Sequence, residues 1–271
     1  MIKRIWGVYF SGTDTTKKTV RHIARGLSEQ LNLEYTEYDF TPPKKRQEPL
    51  IFTEKDLVVL GLPVIAGRVP NLMLKFLDTM EGNKALGVPV VLFGNRNFDD
   101  ALIELKLIMK KTGFSPIAAG AFVGEHSFSE TLGKGRPDEQ DLKEMDEFKS
   151  AIIKKLPDFN GEDFFCEGND PVRPYYTPRD RNGNGIDIRK VKPKTDPDKC
   201  VKCGLCASLC PMGSISTEDF STINGICMKC CACVKKCPEG AKYFDDEGYL
   251  YHKSELEAMY KNERHPNAWF I

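Results

Sequence analysis

The strongest constraint on how this chain folds is a cysteine pattern that occurs twice near its C-terminal end. The pattern C-x2-C-x2-C-x3-C-P spans residues 200–211 and again residues 227–238. A shift of 27 residues places four cysteines, a proline and a glycine of one copy on those of the other. Nine of the ten cysteines lie in this region, and the tenth is Cys166. Such crowding indicates a tandem of two metal- or cluster-binding units rather than the disulfide framework of a secreted protein.

The spacing within each copy favours an iron–sulfur cube. Three thiolates at two-residue gaps surround one [4Fe–4S] cluster, and the fourth cysteine of the copy ligates the cluster of the other copy. The first predicted set is Cys200, Cys203, Cys206 and Cys237, and the second is Cys227, Cys230, Cys233 and Cys210. Zinc is the alternative, but four-cysteine zinc sites use two separated C-x2-C pairs and need no central third cysteine.

Residues 196–245, which carry both copies, closely resemble the bacterial two-cluster ferredoxins. The resemblance implies a small α+β domain that holds two [4Fe–4S] clusters. Cys231 lies beside a predicted ligand and is surplus to the pattern. It is either a small apolar filler near the cluster or an alternative ligand. Cys166 has no assigned role.

The first 156 residues show a different pattern, in which strand and helix signals alternate. The strand candidates are 5–10, 33–40, 56–62, 88–93 and 117–123. The third and fourth are nearly continuous apolar runs, as expected for parallel strands covered on both faces. Helical signals follow the first strand, begin again at Pro70 and after Asp99 and Asp100, and cover 138–156. Five strands and four helices in this order predict an α/β fold with a doubly wound, five-stranded parallel sheet.

The remainder of the chain divides into a connecting segment and a tail. Residues 157–195 are rich in turn-forming residues but carry four aromatics, so we expect an extended strap that packs on a domain surface. The tail, 246–271, has a short helical stretch and an apolar end. The predicted organisation is therefore 1–156 as the α/β domain, 157–195 as a linker or strap, 196–245 as the cluster domain and 246–271 as the tail.

The sequence SGTDTT, residues 11–16, follows the first strand and opens the first helix. It lacks the Walker lysine and the G-x-G-x-x-G spacing, so neither a nucleoside-triphosphatase nor a nicotinamide site is supported. Hydroxyls and amides at a helix N-terminus can nevertheless hold a phosphate without a cationic side chain. Asp14 would either repel that phosphate or turn outward and cap the helix.

This loop resembles the S/T-x-T-G-x-T phosphate loop of flavodoxins, which binds the phosphate of FMN. Ser11, Gly12, Thr13 and Thr16 match the pattern, while Asp14 and Thr15 replace the usual glycine and asparagine. The resemblance implies that FMN binds here, with its ring between the loops that follow the third and fourth strands. The first of these loops is Pro63, Val64, Ile65, Ala66, Gly67 and Arg68, and the second is Gly94, Asn95, Arg96, Asn97, Phe98 and Asp99.

Particular side chains in these loops have expected roles. Phe98 is the natural stacking partner for a flavin ring, because the first loop offers only aliphatic Val64 and Ile65. Arg68 or Arg96 near the ring would favour an anionic reduced flavin. His126 follows the fifth strand and reaches the same rim, where it is either structural or in contact with the cofactor.

Taken together, the chain resembles the flavodoxin–ferredoxin fusion proteins of anaerobes over residues 1–156 and 196–245. The resemblance implies an electron-transfer iron–sulfur flavoprotein that passes electrons between two [4Fe–4S] clusters and FMN. The implied partners are protein electron donors and acceptors of the ferredoxin, flavodoxin or redox-enzyme type. A flavin-dependent reductase of a small acceptor is one alternative. A ferredoxin joined to a flavodoxin-like domain that binds no flavin is another. No catalytic acid–base pair can be recognised.

The composition excludes other classes of partner. Thirty-nine lysines and arginines balance 39 aspartates and glutamates, so no overall field favours nucleic acid or a membrane surface. No stretch approaches the roughly 18 apolar residues of a membrane span. The N-terminus has no signal-peptide pattern, so we expect a cytoplasmic protein.

Overall fold

The computed structural model describes all 271 residues, and its N-terminal part is an α/β unit built on one sheet. The five long strands are β1 (Arg4–Tyr9), β2 (Glu34–Asp39), β3 (Asp56–Pro63), β4 (Leu86–Phe93) and β6 (Ala119–Val123), with the two-residue β5 (Ser115–Pro116) beside β4. The long strands are parallel in the order β2-β1-β3-β4-β6, which is the 2-1-3-4-5 order of flavodoxin-like sheets.

The predicted number of five strands is too low. The sheet has seven strands, because β5 adds a short pairing to β4 and β9 (Ala268–Phe270) pairs antiparallel with β6 at the edge. Neither addition carries a periodic signal, since one strand has two residues and the other has three. The four predicted helices and five predicted parallel strands are present.

Helices cover both faces of the sheet. They are α1 (Thr15–Leu31), α2 (Asn71–Leu77), α3 (Ala101–Lys111) and α4 (Glu139–Lys155). One core contains Ile23 of α1 and Phe148 of α4, and the other contains Phe76 of α2 and Leu105 of α3. Strand residues alternate between these cores, which explains why β3 and β4 read as continuous apolar runs.

Residues 157–195 run as an extended segment along the α3 side of the sheet. Lys106 of α3 forms an ion pair with Asp163 at 2.7 Å, and Cys166 is buried in the core on this side. Further along the segment, the Tyr175 hydroxyl donates to the Val69 carbonyl at 2.8 Å. The aromatic and charged side chains of this strap therefore anchor it to the α/β unit.

The cysteine region has an internal repeat in its backbone as well as its sequence. Its elements are β7 (Lys194–Thr195), α5 (Leu205–Leu209), α6 (Ala232–Lys235) and β8 (Lys242–Tyr243), with β7 and β8 paired antiparallel. Helices α5 and α6 begin 27 residues apart. Three pairs of residues with positive φ share the same offset: Lys202 and Lys229, Gly204 and Cys231, Gly213 and Gly240.

The C-terminal tail returns to the sheet. It consists of α7 (Glu247–Tyr260), which Asp246 caps through the main-chain N–H of Tyr249 at 2.8 Å, followed by β9. Just before β9, the Asn267 side chain accepts a hydrogen bond from the main-chain N–H of Val123 at 2.8 Å. None of the helices is both long enough and apolar enough to span a membrane.

Candidate cofactor sites

The carboxyl ends of β1, β3, β4 and β6 surround a cleft with an empty volume of about 600 Å³. In open α/β sheets, ligands bind at this edge. The structure brings ten of the residues predicted from the sequence to its lining: Ser11, Gly12, Thr13, Thr15, Thr16, Pro63, Val64, Ile65, Gly94 and His126.

The loop at the N-terminus of α1 presents a row of free main-chain donors. The N–H groups of residues 12–16 donate to no acceptor within the chain. The loop is held from both sides, because Ser11 N donates to Thr41 Oγ1 at 2.8 Å and Ser11 Oγ accepts from Lys17 N at 3.2 Å. Five free N–H groups at the positive end of a 17-residue helix fit a phosphate group.

Asp14 does not cap the helix. Its backbone is left-handed, with φ at 67°, and its carboxylate makes no capping hydrogen bond. The carboxylate instead lies 2.8 Å from Lys236 Nζ, in the second cysteine repeat. Asp14 is also absent from the cleft lining, so its charge is directed to a cation outside the cleft.

The two arginines expected near a flavin ring are engaged elsewhere. Arg68 forms a two-pronged ion pair with Glu104 at 2.7 and 2.6 Å and lies 4.8 Å from the centre of the Tyr175 ring. Arg96 lies 5.0 Å from the centre of the Tyr176 ring. Both tyrosines belong to the strap, and neither arginine lines the cleft. Ala66 and Gly67 are also outside the lining.

The expected stacking residue is inside the protein. Phe98 is only 7% exposed and packs on Phe93, with ring centres 5.6 Å apart. Asn97 is exposed, and the carboxylate of Asp99 is paired with Arg96. The structure therefore does not bring residues 96–99 to the cleft, because β4 ends in a turn that points Phe98 back to the core.

Asn95 fixes the C-terminal tail rather than lining the cleft. Its side chain is buried and donates to the carbonyls of Tyr260 at 3.1 Å and Glu263 at 2.7 Å. Its amide oxygen accepts from His265 N at 3.3 Å. All three contacts are with residues at least 165 positions away in the sequence, so local sequence patterns could not indicate them.

The side chain of His126 lines the cleft and is uncharged at neutral pH. Burial, together with the nearby charges of His252, Lys235 and Arg96, lowers its pKa to about 4. Its Nδ1 accepts from Phe128 N at 3.1 Å, so the proton of the neutral ring is on Nε2. Gly94 makes room for this ring, because a Cβ at that position would lie 2.3 Å from the His126 ring.

The first set of cysteines surrounds a second cavity, with an empty volume of about 370 Å³. Its lining includes Cys200, Cys203, Cys206 and Cys237, the last of which comes from the other repeat. The structure thus brings these four cysteines, from both repeats, to one cavity. Every residue lining the cavity lies between positions 195 and 242.

The second set lies beside the α/β unit. Cys227 and Cys230 are close enough to Cys210 for their charges to interact, and burial raises the pKa of Cys230 to about 12. Cys233 is near enough to interact with Cys230 and Cys227. Cys230 also lines the cleft at the sheet edge.

The fourth cysteine of each repeat accepts an equivalent hydrogen bond. Cys210 Sγ accepts from Ser214 N and Cys237 Sγ accepts from Ala241 N, both at 3.3 Å. Main-chain donors to thiolate sulfurs are among the features that set the potential of a cluster. No three His, Cys, Asp or Glu side chains are grouped as the ligands of a single metal ion.

The surplus cysteine contacts a tyrosine of helix α7. Cys231 is 3% exposed, and its Sγ lies 3.5 Å from the Tyr249 hydroxyl. It has a left-handed backbone with φ at 58°, where the first repeat has Gly204 with φ at 76°. These contacts favour the filler interpretation over that of an alternative ligand.

Sequence reasoning missed the contribution of the cysteine region to the cleft. The sequence predicts Cys230 only as a cluster ligand, and it assigns no role to Lys235, the last residue of α6, or to Lys236. No signal in the sequence relates these residues to loop 11–16, because the contact joins segments more than 200 positions apart.

Comparisons with known proteins match parts of the chain. Residues 193–216 match the model of the 4Fe-4S binding domain. The chain thus contains an iron–sulfur binding domain. No curated protein matches the sequence.

Solved structures with a similar fold include three flavodoxins. One is from the domain Archaea (17% identity, TM-score 0.41), one is a short-chain flavodoxin associated with a non-canonical PDU bacterial microcompartment (15%, 0.42) and one is from Streptococcus pneumonia TIGR4 (16%, 0.40). The matches cover 57–58% of this chain and 99% of each flavodoxin. At these values they support no conclusion about ligand or activity.

Proposed function

We propose that the protein is an electron carrier that binds FMN in the cleft at the sheet edge and a [4Fe–4S] cluster in each cysteine set. The observation that supports this most directly is the double position of Cys230, which belongs to the second ligand set and also lines the cleft. A flavin and a cluster held by these residues would be neighbours. Such proximity is what electron transfer between them requires.

FMN, when bound, supplies one- and two-electron chemistry, and each cluster supplies one-electron chemistry. The chain's own residues bind and shield these groups. The free N–H groups of residues 12–16 hold the phosphate, while Pro63, Val64 and Ile65 exclude water from one side of the cleft. His126 forms part of the opposite wall and, being neutral, can donate from Nε2.

A ferredoxin whose α/β unit binds no flavin is the second candidate. The observation that favours it is the position of Phe98, which removes the expected aromatic partner from the ring site. The lining of the cleft contains no tyrosine or tryptophan. Free backbone donors would still bind a simpler phosphorylated ligand under this alternative.

Anaerobic purification of the full chain followed by metal and flavin analysis tests the proposal. We expect about eight iron and eight sulfide ions and about one FMN per chain. A preparation with the iron and sulfide but no flavin, and no uptake of added FMN, would favour the second candidate. Zinc in place of iron would contradict both. The expected partners are one-electron donor and acceptor proteins, and reduction of the protein by a ferredoxin-type donor would identify that class.

A further inference from the structure

The second cysteine repeat contacts the phosphate loop through two residues, Cys230 and Lys236. A Cβ at Gly12 would lie 3.0 Å from the Cys230 Cβ, so the two backbones approach closely. Lys236 pairs with Asp14 at 2.8 Å. These contacts join loop 230–236 to loop 11–16.

The same segment also contacts the end of β6. Lys235 Nζ donates to the main-chain oxygen of His126 at 2.8 Å and lies 3.8 Å from the carboxylate of Glu125. Lys235 is largely buried, with 16% of its side chain exposed. Loop 230–236 therefore bridges two of the segments that line the cleft.

The first repeat has no comparable position. The cavity of Cys200, Cys203, Cys206 and Cys237 is lined only by residues of the cysteine region. Cys203, which corresponds to Cys230 in the repeat, is exposed. The internal symmetry of the cysteine region thus provides one site that contacts the cleft and one that does not.

We propose that loop 230–236 is a wall of the flavin site, so that filling the second cysteine set and binding FMN are cooperative, whereas filling the first set is not coupled to FMN. The proposal depends on the proposed function. A cluster would fix loop 230–236, because the loop carries two of its ligands, Cys230 and Cys233, and has little secondary structure of its own: α6 has four residues. Without the cluster, loop 230–236 is held at the cleft less firmly, by contacts such as Lys235–His126 and Lys236–Asp14, and FMN must then order it further at a cost in affinity.

The repeat offers a matched pair of variants for the test. Cys233→Ser removes a ligand of the second set, and Cys206→Ser removes the equivalent ligand of the first set, 27 residues earlier. Neither cysteine lines the cleft. Each full-length variant is reconstituted anaerobically, its iron is measured, and FMN is titrated by quenching of flavin fluorescence. We expect Cys233→Ser to bind FMN at least about fivefold more weakly than the wild type, the lower end of typical coupling, and Cys206→Ser to bind it within about twofold.

A reciprocal experiment on the wild-type chain needs no variant and therefore does not depend on the variants folding. Linkage requires FMN to stabilise the second cluster by the same factor. We expect saturating FMN to slow the release of about half of the iron to a chelator, and to leave the other half unaffected.

The outcomes separate this inference from the proposed function. If the wild-type chain binds no FMN, both are wrong. If it binds FMN but the two variants have equal affinity, or FMN protects all or none of the iron, only the coupling is wrong.

Discussion

Replacement of Lys236 by methionine tests how the chain binds a phosphate beside an aspartate. Lys236 Nζ and the Asp14 carboxylate are 2.8 Å apart, with side-chain exposures of 25% and 44%. A pair this exposed contributes only about 0.2–1 kcal/mol to the free energy of unfolding. We therefore expect Lys236→Met to fold with nearly unchanged stability.

The larger effect concerns FMN affinity. Without Lys236, the Asp14 carboxylate is unpaired in the loop that is proposed to hold the phosphate. Repulsion between like charges several ångströms apart in a solvated loop is about 1 kcal/mol, which corresponds to about a fivefold increase in the Kd for FMN. The double variant Asp14→Asn with Lys236→Met removes both charges and should restore most of the affinity.

Fluorescence titration at low and high salt measures these affinities. Added salt should reduce the defect of Lys236→Met, because screening weakens interactions between partly exposed charges. Lys154→Met is the matched control, since it removes the same charge from an exposed position at the C-terminal end of α4, away from the cleft. Wild-type affinity in Lys236→Met at low salt, or no recovery in the double variant, would refute this account of Asp14.

Three further predictions concern single side chains. Asp100 is 1% exposed and accepts from Asn169 and Arg173 of the strap, so Asp100→Asn should lower the free energy of unfolding by about 2–3 kcal/mol in a denaturant titration. Burial raises the pKa of Asp100, but these hydrogen bonds outweigh the effect of burial and hold the pKa well below the usual range. The wild type should therefore lose this stability as the pH falls below about 4. An equal acid dependence of stability in Asp100→Asn would contradict this explanation. Asn95→Ala should destabilise the protein by about 1–3 kcal/mol and speed amide exchange in β9, because it removes the hydrogen bonds to the tail. The affinity for FMN should not change, and a large loss of affinity would indicate that Asn95 contacts the flavin. Cys231→Ala should retain the full iron content by metal analysis, and loss of half the iron would identify Cys231 as a ligand.

The fold was predictable because local sequence patterns indicate its main strands and helices. A strand covered on both faces must be apolar at every position, and β3 and β4 are, so their parallel pairing followed from the sequence. Helix α4 begins with an acidic capping box at Asp138 and Asp141 and ends in lysines, which fixed its limits to within a residue. Periodicity and capping depend on residues that are neighbours in the sequence, so they can be recognised in a single sequence.

The use of particular loop side chains was not predictable in the same way. Arg68, Arg96 and Asn95 were expected at the flavin because of their positions after β3 and β4, and the structure engages each with a segment far along the chain. Side chains that follow an exposed strand end can contact either a ligand or another segment of the chain. Which of these occurs depends on the path of residues 157–195 and of the tail, and that path has no periodic signal.

The close approach of the two sites follows from the small size of the cysteine region. A segment of about 50 residues rarely buries enough apolar surface to fold on its own and needs metal sites or another surface. Here Met228 is buried in the core of the sheet, with Met212 packed against that core, and Arg46 donates to the Pro211 carbonyl. Residues of both repeats thus pack on the α/β unit, and Cys230 approaches Gly12 of the phosphate loop there. The packing that stabilises the cysteine region therefore also places Cys230 at the cleft. If the proposed function is correct, electron transfer between the two sites needs no separate docking step.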